Sequence, residues 1–175
     1  MNVTCDWRIR EARAADAGTL RELMERTFRA TYGHLAEAED MELHVAEAFA
    51  EDVQLREICD TQMKTLLMES GDELIGFAQV RTGTTAECVR GERPVELWRI
   101  YLEKTWQGRG AARLLMAEAK AVARAWDGKT MWLGVWELNP RAMRFYRKCG
   151  FKVCGEHTFR FGREDQVDLV MTCEL

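Results

Sequence analysis

Proline is nearly missing from this sequence, with two in 175 residues, and no low-complexity run interrupts the chain, which excludes a disordered linker protein. No apolar stretch approaches the roughly 18 residues of a membrane span, so no membrane partner is expected. Basic excess is also lacking: Lys+Arg 25 stand against Asp+Glu 29, a net charge of −4, with a pI near 5.5. General nucleic-acid binding needs a basic footprint, and no helix-turn-helix signal compensates for its absence. The six cysteines (Cys5, Cys59, Cys88, Cys149, Cys154, Cys173) contain no Cys-x-x-Cys pair, and His34, His44 and His157 make no familiar zinc spacing with them. No metal is expected. The opening residues, MNVTCDWRIR, hold no apolar segment behind a basic start, so reduced, packed thiols and a cytoplasmic location are the expectation.

What is present suits one domain. Hydrophobic residues make up 47% and charged residues 31%, enough for a core and a solvated surface, and neither repeat nor linker divides the chain. Trp7 to Glu11 reads as a strand. Asp16 is placed to cap a helix whose apolar positions Leu20, Leu23, Met24, Thr27, Phe28 and Thr31 follow the 3.6 period, ending at Gly33. Glu39 to Ala50 and Val53 to Cys59 predict two shorter helices. Thr65 to Glu69 and Leu74 to Thr82 form a hairpin around Ser70-Gly71-Asp72-Glu73, and a polar loop, Gly83 to Arg93, precedes a strand from Val95 to Leu102. A helix over Ala111 to Trp126 packs Leu115, Ala119, Val122 and Trp126 on one face. Met131 to Val135 has the continuous apolar pattern of a strand covered on both sides. Asn139-Pro140 starts a helix that Gly150 closes, and Phe151 to Phe161 pairs with Gln166 to Glu174. The order predicts an α+β domain: a mixed, mostly antiparallel sheet with one parallel crossover.

Two segments carry chemistry. Gln107-Gly108-Arg109-Gly110-Ala111-Ala112 follows a strand and opens a helix, where glycines turn backbone N–H groups toward one point beside a helix N-terminus. That is an anion site suited to a pyrophosphate, or a turn that merely saves space. It is neither a P-loop, lacking Gly-Lys-Ser/Thr, nor a Gly-x-Gly-x-x-Gly fingerprint. The second segment, Val135 to Phe151, contains Asn-x-x-Ala-x-x-Phe-Tyr-x-x-x-Gly-Phe from Asn139 onward.

Together, Gln-x-x-Gly-x-Ala and this downstream motif resemble the GNAT superfamily of acyl-CoA-dependent N-acetyltransferases. The run Trp132-Leu133-Gly134-Val135-Trp136-Glu137, then Gly155-x-His157-x-Phe159 and Gln166-x-Asp168-Leu169, is similar to its PaiA-like polyamine acetyltransferases. The Thr27-Phe28-x-x-Thr31-Tyr32 stretch agrees. The resemblance implies a twisted GNAT sheet with helices on both faces and a central strand pair, Val95 to Leu102 and Met131 to Val135, that splays around acetyl-CoA. The pantetheine arm would pair with the strand edge at Ile100, Tyr101 and Leu102. The pyrophosphate would lie on Gln107, Gly108, Arg109, Gly110, Ala111 and Ala112, with Arg109 and Arg113 as cations and Asn139 contacting the pantetheine as well as capping its helix.

Catalytic roles follow from the same resemblance. Tyr146 is expected to donate a hydrogen bond or proton to the departing CoA sulfur and also to contact the cofactor. Glu96 is the candidate base, because an ammonium with a pKa near 10 must lose a proton before it attacks; the alternative is a salt bridge to Arg99 or Arg93. Acceptor-pocket walls are expected from the N-terminal helices and the Gly83 to Arg93 loop. The acidic residues Glu37, Glu39, Asp40 and Glu42 are either a solvated helix start or an attractor for a polycation. His157 reads as a hydrogen-bonded strand residue, with a catalytic role as the alternative. Cys149 is expected on a packing face with Ala142 and Phe145, so no acyl-enzyme is foreseen. The expected reaction is acetyl transfer from acetyl-CoA to a primary amine, foremost spermidine or spermine. Acetylation of a protein lysine, an N-terminus or another small amine is the alternative, as is a CoA-binding regulator with little turnover. A homodimer is the default assembly.

Overall fold

The computed structural model describes residues 7–34, 37–161 and 164–175, so Cys5 lies outside it. Among the described residues, seven strands form one sheet in the order β1-β2-β3-β4-β5-β7-β6. They are β1 (Trp7–Glu11), β2 (Met63–Ser70), β3 (Glu73–Arg81), β4 (Pro94–Leu102), β5 (Thr130–Trp136), β6 (Lys152–Phe161) and β7 (Glu164–Glu174). Only β4 and β5 run parallel, and helix α4 (Ala111–Ala125) makes the crossover between them. The remaining helices are α1 (Ala17–Tyr32), α2 (Ala38–Ala48), α3 (Glu51–Cys59) and α5 (Pro140–Lys148).

Periodicity explains the two cores. On α4, Leu115, Met116, Ala119 and Ala123 are buried and pack with Val95, Leu97, Met131, Leu133 and Met171 beneath one face of the sheet. On α1, Leu20, Leu23, Met24 and Phe28 pack on the opposite face with Met41, Val45, Phe49, Leu67 and Phe77. Each fully buried Leu or Met contributes about 1.5–3 kcal/mol from leaving water. The strand β5, buried on both sides, is the continuous apolar run that the sequence suggested.

Asp16 departs from expectation. It makes no capping bond to α1; its carboxylate instead accepts from the Arg13 N–H at 2.7 Å and from both terminal nitrogens of Arg10 at 2.8 Å. With φ −85° and ψ −7° Asp16 already has helical backbone rather than the extended conformation of a capping residue, so its side chain turns back to Arg13 and Arg10. Gly33 does close α1, although with an ordinary right-handed φ of −60°.

Candidate functional site

β4 and β5 pair at only three positions, Pro94↔Thr130, Val95↔Met131 and Glu96↔Trp132, before they part. The cause lies on the far edge of β4. There Gln79 opposes Arg99 and Val80 opposes Leu97, so Trp98 is an extra, bulged residue. A bulge bends and twists its strand, and this one falls just past the last β4–β5 pair. Arg81 stacks over the displaced Trp98 ring, 3.3 Å from its centroid. Into the resulting gap opens a cavity of about 1290 Å³ that is lined from both faces of the sheet.

One end of the cavity is built for an anion. Gly108 (φ +81°) and Gly110 (φ +96°) both adopt left-handed backbone that L side chains resist, and a Cβ at either would meet nothing within 4 Å. Gly110 is the N-cap of α4, whose first amides therefore face open space. Gln107 secures the approach by donating from Nε2 to the Leu102 carbonyl at 2.8 Å, while its Oε1 is buried without a partner. Ile100, Tyr101, Leu102, Gln107, Gly108, Gly110, Ala112 and Arg113 all line the cavity. Two expected residues do not. The Ala111 side chain is fully buried in the core, and the Arg109 guanidinium lies over the Trp106 ring, 5.2 Å from its centroid. Lys104, Arg141, Arg144 and Lys148 stand at the wall instead. Their charges were visible in the sequence, but their convergence depends on how α5 docks.

Helix α5 places the central residues. Asn139 Oδ1 accepts from the Ala142 N–H at 3.0 Å, Pro140 fills the first turn, and Gly150 takes φ +94° after the end. Asn139 and Tyr146 both line the cavity. Tyr146 sits tilted against Phe145 (5.5 Å) and edge-on to Phe151 (5.9 Å). Burial, then the neighbouring Tyr32, Cys149 and Asp168, push its phenol well above the usual tyrosine range, so it stays protonated as a donor. Cys149 packs with Ala142 and Phe145, as expected.

The other end is aromatic. Phe28, Tyr32, His44, Phe49, Tyr101, Trp136 and Phe159 line it, with Tyr32 edge-on to Trp136 at 5.8 Å and Tyr101 stacked on Phe77 at 5.5 Å. Glu96 and Asp168 are the carboxylates among the lining residues. Glu96 pairs with neither Arg99 nor Arg93. Its Oε2 accepts from Arg81 Nε and Thr84 Oγ1, each at 2.6 Å, whereas Arg99 binds Glu57 and Gln79, both at 2.7 Å, and Arg93 pairs with Asp127. The Gly83 to Arg93 loop holds Glu96 through Thr84 but does not line the cavity; His157, Phe159, Gln166 and Asp168 from β6 and β7 supply that wall. Glu37, Glu39, Asp40 and Glu42 are absent from it too: Asp40 is buried, and Glu42 pairs with Arg29 at 2.8 Å.

Comparisons with known proteins bear on this geometry. A family model described as the acetyltransferase (GNAT) family matches residues 19–151. An uncharacterized N-acetyltransferase of Mycobacterium tuberculosis is 38% identical over 119 residues, 67% of this chain and 71% of that protein. A spermine/spermidine N(1)-acetyltransferase of Bacillus subtilis is 26% identical over 129 residues, 68% of this chain and 83% of the relative. Among solved structures, the PaiA N-acetyltransferase of Thermoplasma acidophilum in complex with coenzyme A has the same fold, with TM-score 0.79 and 24% identity over 97% of this chain and 99% of that one.

Proposed function

The chain belongs to the GNAT family of acetyltransferases, and from that premise we propose that it moves acetyl from acetyl-CoA to a primary amine of a polyamine such as spermidine or spermine. The observation that carries the reading is the asymmetric cavity through the parted strands. Its cationic, glycine-lined end suits a diphosphate, and its aromatic end, with two carboxylates and with Arg99 already paired to Glu57, suits an organic cation.

The residues present fit the cofactor. Open space above Gly108 and Gly110 leaves room for phosphates to approach the amides that open α4. Lys104, Arg113, Arg141, Arg144 and Lys148 add positive charge at the same wall. Beyond Glu96, β4 has no strand partner on its β5 side among the described residues, leaving backbone groups for the amides of a pantetheine arm at Ile100 to Leu102. Asn139 and the buried Gln107 Oε1 add polar contacts. Acetyl-CoA supplies the activated acyl group as a thioester. The chain's own part is to orient the two reactants and handle protons. Tyr146 is the donor we assign to the departing sulfur. Its raised phenol keeps its proton, so it acts by donating a hydrogen bond to the sulfur rather than by full proton transfer. Glu96, the carboxylate expected as base, lines the cavity with its Oε2 held by Arg81 and Thr84, an engagement that favours a role in bracing β4 over one as a free base.

Support for a polyamine comes from the relative named for spermine and spermidine and from the carboxylates Glu96 and Asp168 within aromatic walls. The test is a steady-state assay of CoA release over a panel of polyamines, monoamines, amino acids and an N-terminal peptide. Turnover with spermidine is expected to exceed that with a monoamine of equal length. Turnover only with peptide or amino-acid amines would remove the polyamine and leave the transferase. CoA binding without turnover on any amine would favour a CoA-dependent regulator.

A further inference from the structure

His157 on β6 and Asp168 on β7 stand directly opposite in register, and both line the aromatic end of the cavity. His157 Nε2 lies 3.8 Å from Asp168 Oδ2. That nitrogen is buried and has no hydrogen-bond partner, an expensive omission unless something else completes it. Gly134 lets the pair pack this closely on β5, since a Cβ there would stand 2.9 Å from Nε2 and 3.2 Å from Oδ2. Among the described residues His157 is the ion-pair partner of Asp168; no lysine or arginine reaches it. Burial raises the Asp168 carboxyl, and His157 only partly opposes this, so an incoming cation meets a carboxylate short of positive charge. The pair also lies beside the proposed hydrogen-bond donor, since the Asp168 charge is felt by both Tyr146 and Tyr32. Glu96 differs, being already held by a guanidinium and a hydroxyl.

We propose that Asp168 and His157 form the seat of the reacting amine, Asp168 attracting its ammonium and His157 accepting the proton it must lose. A small turn of the His157 ring, whose side chain is 38% exposed, opens Nε2 to an ammonium nitrogen about 2.9 Å from it and from Oδ2, which spans the gap between them. One N–H proton passes to the imidazole lone pair, and the N–H electron pair stays on nitrogen as the nucleophilic lone pair. The resulting imidazolium rests against the Asp168 carboxylate and later returns its proton to water. Imidazole is the side chain that makes this exchange most readily near neutrality. The titratable groups facing the pair are each other, Tyr32 from α1 and Tyr146 from α5. Glu96 is then left to hold the bulged strand. The inference rests on the acetyltransferase reading and deepens it.

Two measurements test the seat apart from the cofactor. In the first, spermidine is titrated calorimetrically into enzyme saturated with CoA, where no acetyl group is present to transfer. Asp168→Asn should weaken spermidine about tenfold or more, with CoA affinity unchanged. In the second, His157→Gln should lower kcat/KM for spermidine about 100-fold and flatten the fall in rate toward acid pH, with KM for acetyl-CoA unchanged. If spermidine is not a substrate, the amine that the panel does identify takes its place in both experiments. Both substitutions are near-isosteric, and a wild-type melting curve confirms folding. Wild-type amine affinity in Asp168→Asn together with a wild-type pH profile in His157→Gln would overturn the proposal. So would loss of the acid limb in Glu96→Gln alone. Failure of CoA to bind the wild type would instead overturn the cofactor reading, and this inference would fall with it.

Discussion

Substituting Gly110 separates backbone strain from charge at the anion end of the cavity. Gly110 sits at φ +96°, ψ −15°, where an L residue costs about 1–2 kcal/mol. No neighbour lies within 4 Å of the new Cβ, so strain is the whole structural penalty. For a chain of this size that corresponds to about 2–8 °C in Tm. Gly110→Ala and Gly110→Asp should both show it, the aspartate slightly less because a helix N-terminus favours negative charge. Their responses to ligand should differ. CoA at 100 times its Kd stabilises the wild type by about 2.7 kcal/mol, or roughly 5–11 °C. An aspartate about 4 Å from a phosphate opposes binding by about 4 kcal/mol at the effective dielectric of a protein surface, more than that gain. Thermal shift with CoA should therefore persist in Gly110→Ala and vanish in Gly110→Asp. Equal shifts in Gly110→Asp and the wild type would refute the placement of the diphosphate.

Tyr146→Phe keeps the ring contacts with Phe145 and Phe151 and removes the donor. Its melting temperature should stay near wild type while kcat falls about 10²–10³-fold, the usual loss for one donor to developing charge; unchanged turnover at every pH would return Tyr146 to a packing role. His44, stacked on Phe28 at 4.6 Å, has its imidazole pulled from 6.5 down to about 4 by burial and then by the Arg99 charge. The folded state thus binds this proton more weakly than the unfolded chain. The stability is fully present above pH 6.5 and is lost as pH falls toward about 4. His44→Phe should flatten that stretch of the Tm–pH curve, and an unaltered slope would show that other groups set it. Leu115→Ala, at a fully buried position of α4, should cost about 2–5 kcal/mol in denaturant melts; a loss below 1 kcal/mol would mean that α4 does not anchor the sheet.

Elements governed by period and punctuation were legible. The α1 and α4 stripes, the doubly covered β5 and the Asn139-Pro140 to Gly150 helix are local patterns, and the structure extends or trims them by one or two residues. The cationic end was legible only in part. Gly108 and Gly110 announce their own conformation, whereas the sequence cannot show that Arg109 rests on Trp106 while Arg141 and Arg144 line the cavity. Glu96 shows the same limit: its sequence neighbours Arg93 and Arg99 were the obvious partners, but the adjacent strand supplied Arg81. The Trp98 bulge was invisible, because Trp-Arg-Ile-Tyr-Leu reads as uninterrupted strand and the surplus residue exists only relative to β3. His157 and Asp168 belong to two separate sequence motifs, and their shared chemistry arises from cross-strand register.

The three-rung junction of β4 and β5 also bears on how the molecule moves. It divides the sheet into two rafts, β1-β2-β3-β4 and β5-β7-β6, riveted at one end and free at the other. Side chains and the α4 crossover keep the rafts together, but along the free length no ladder resists a small scissoring. A ligand lying there serves as a spacer strand that locks the angle between them. Hydrogen exchange should register this as slower amides from Trp98 to Leu102 and from Gly134 to Trp136 when CoA is added, while the paired rungs at Val95 and Met131 change little. The weakest seam of the fold is then also where binding energy is converted into rigidity.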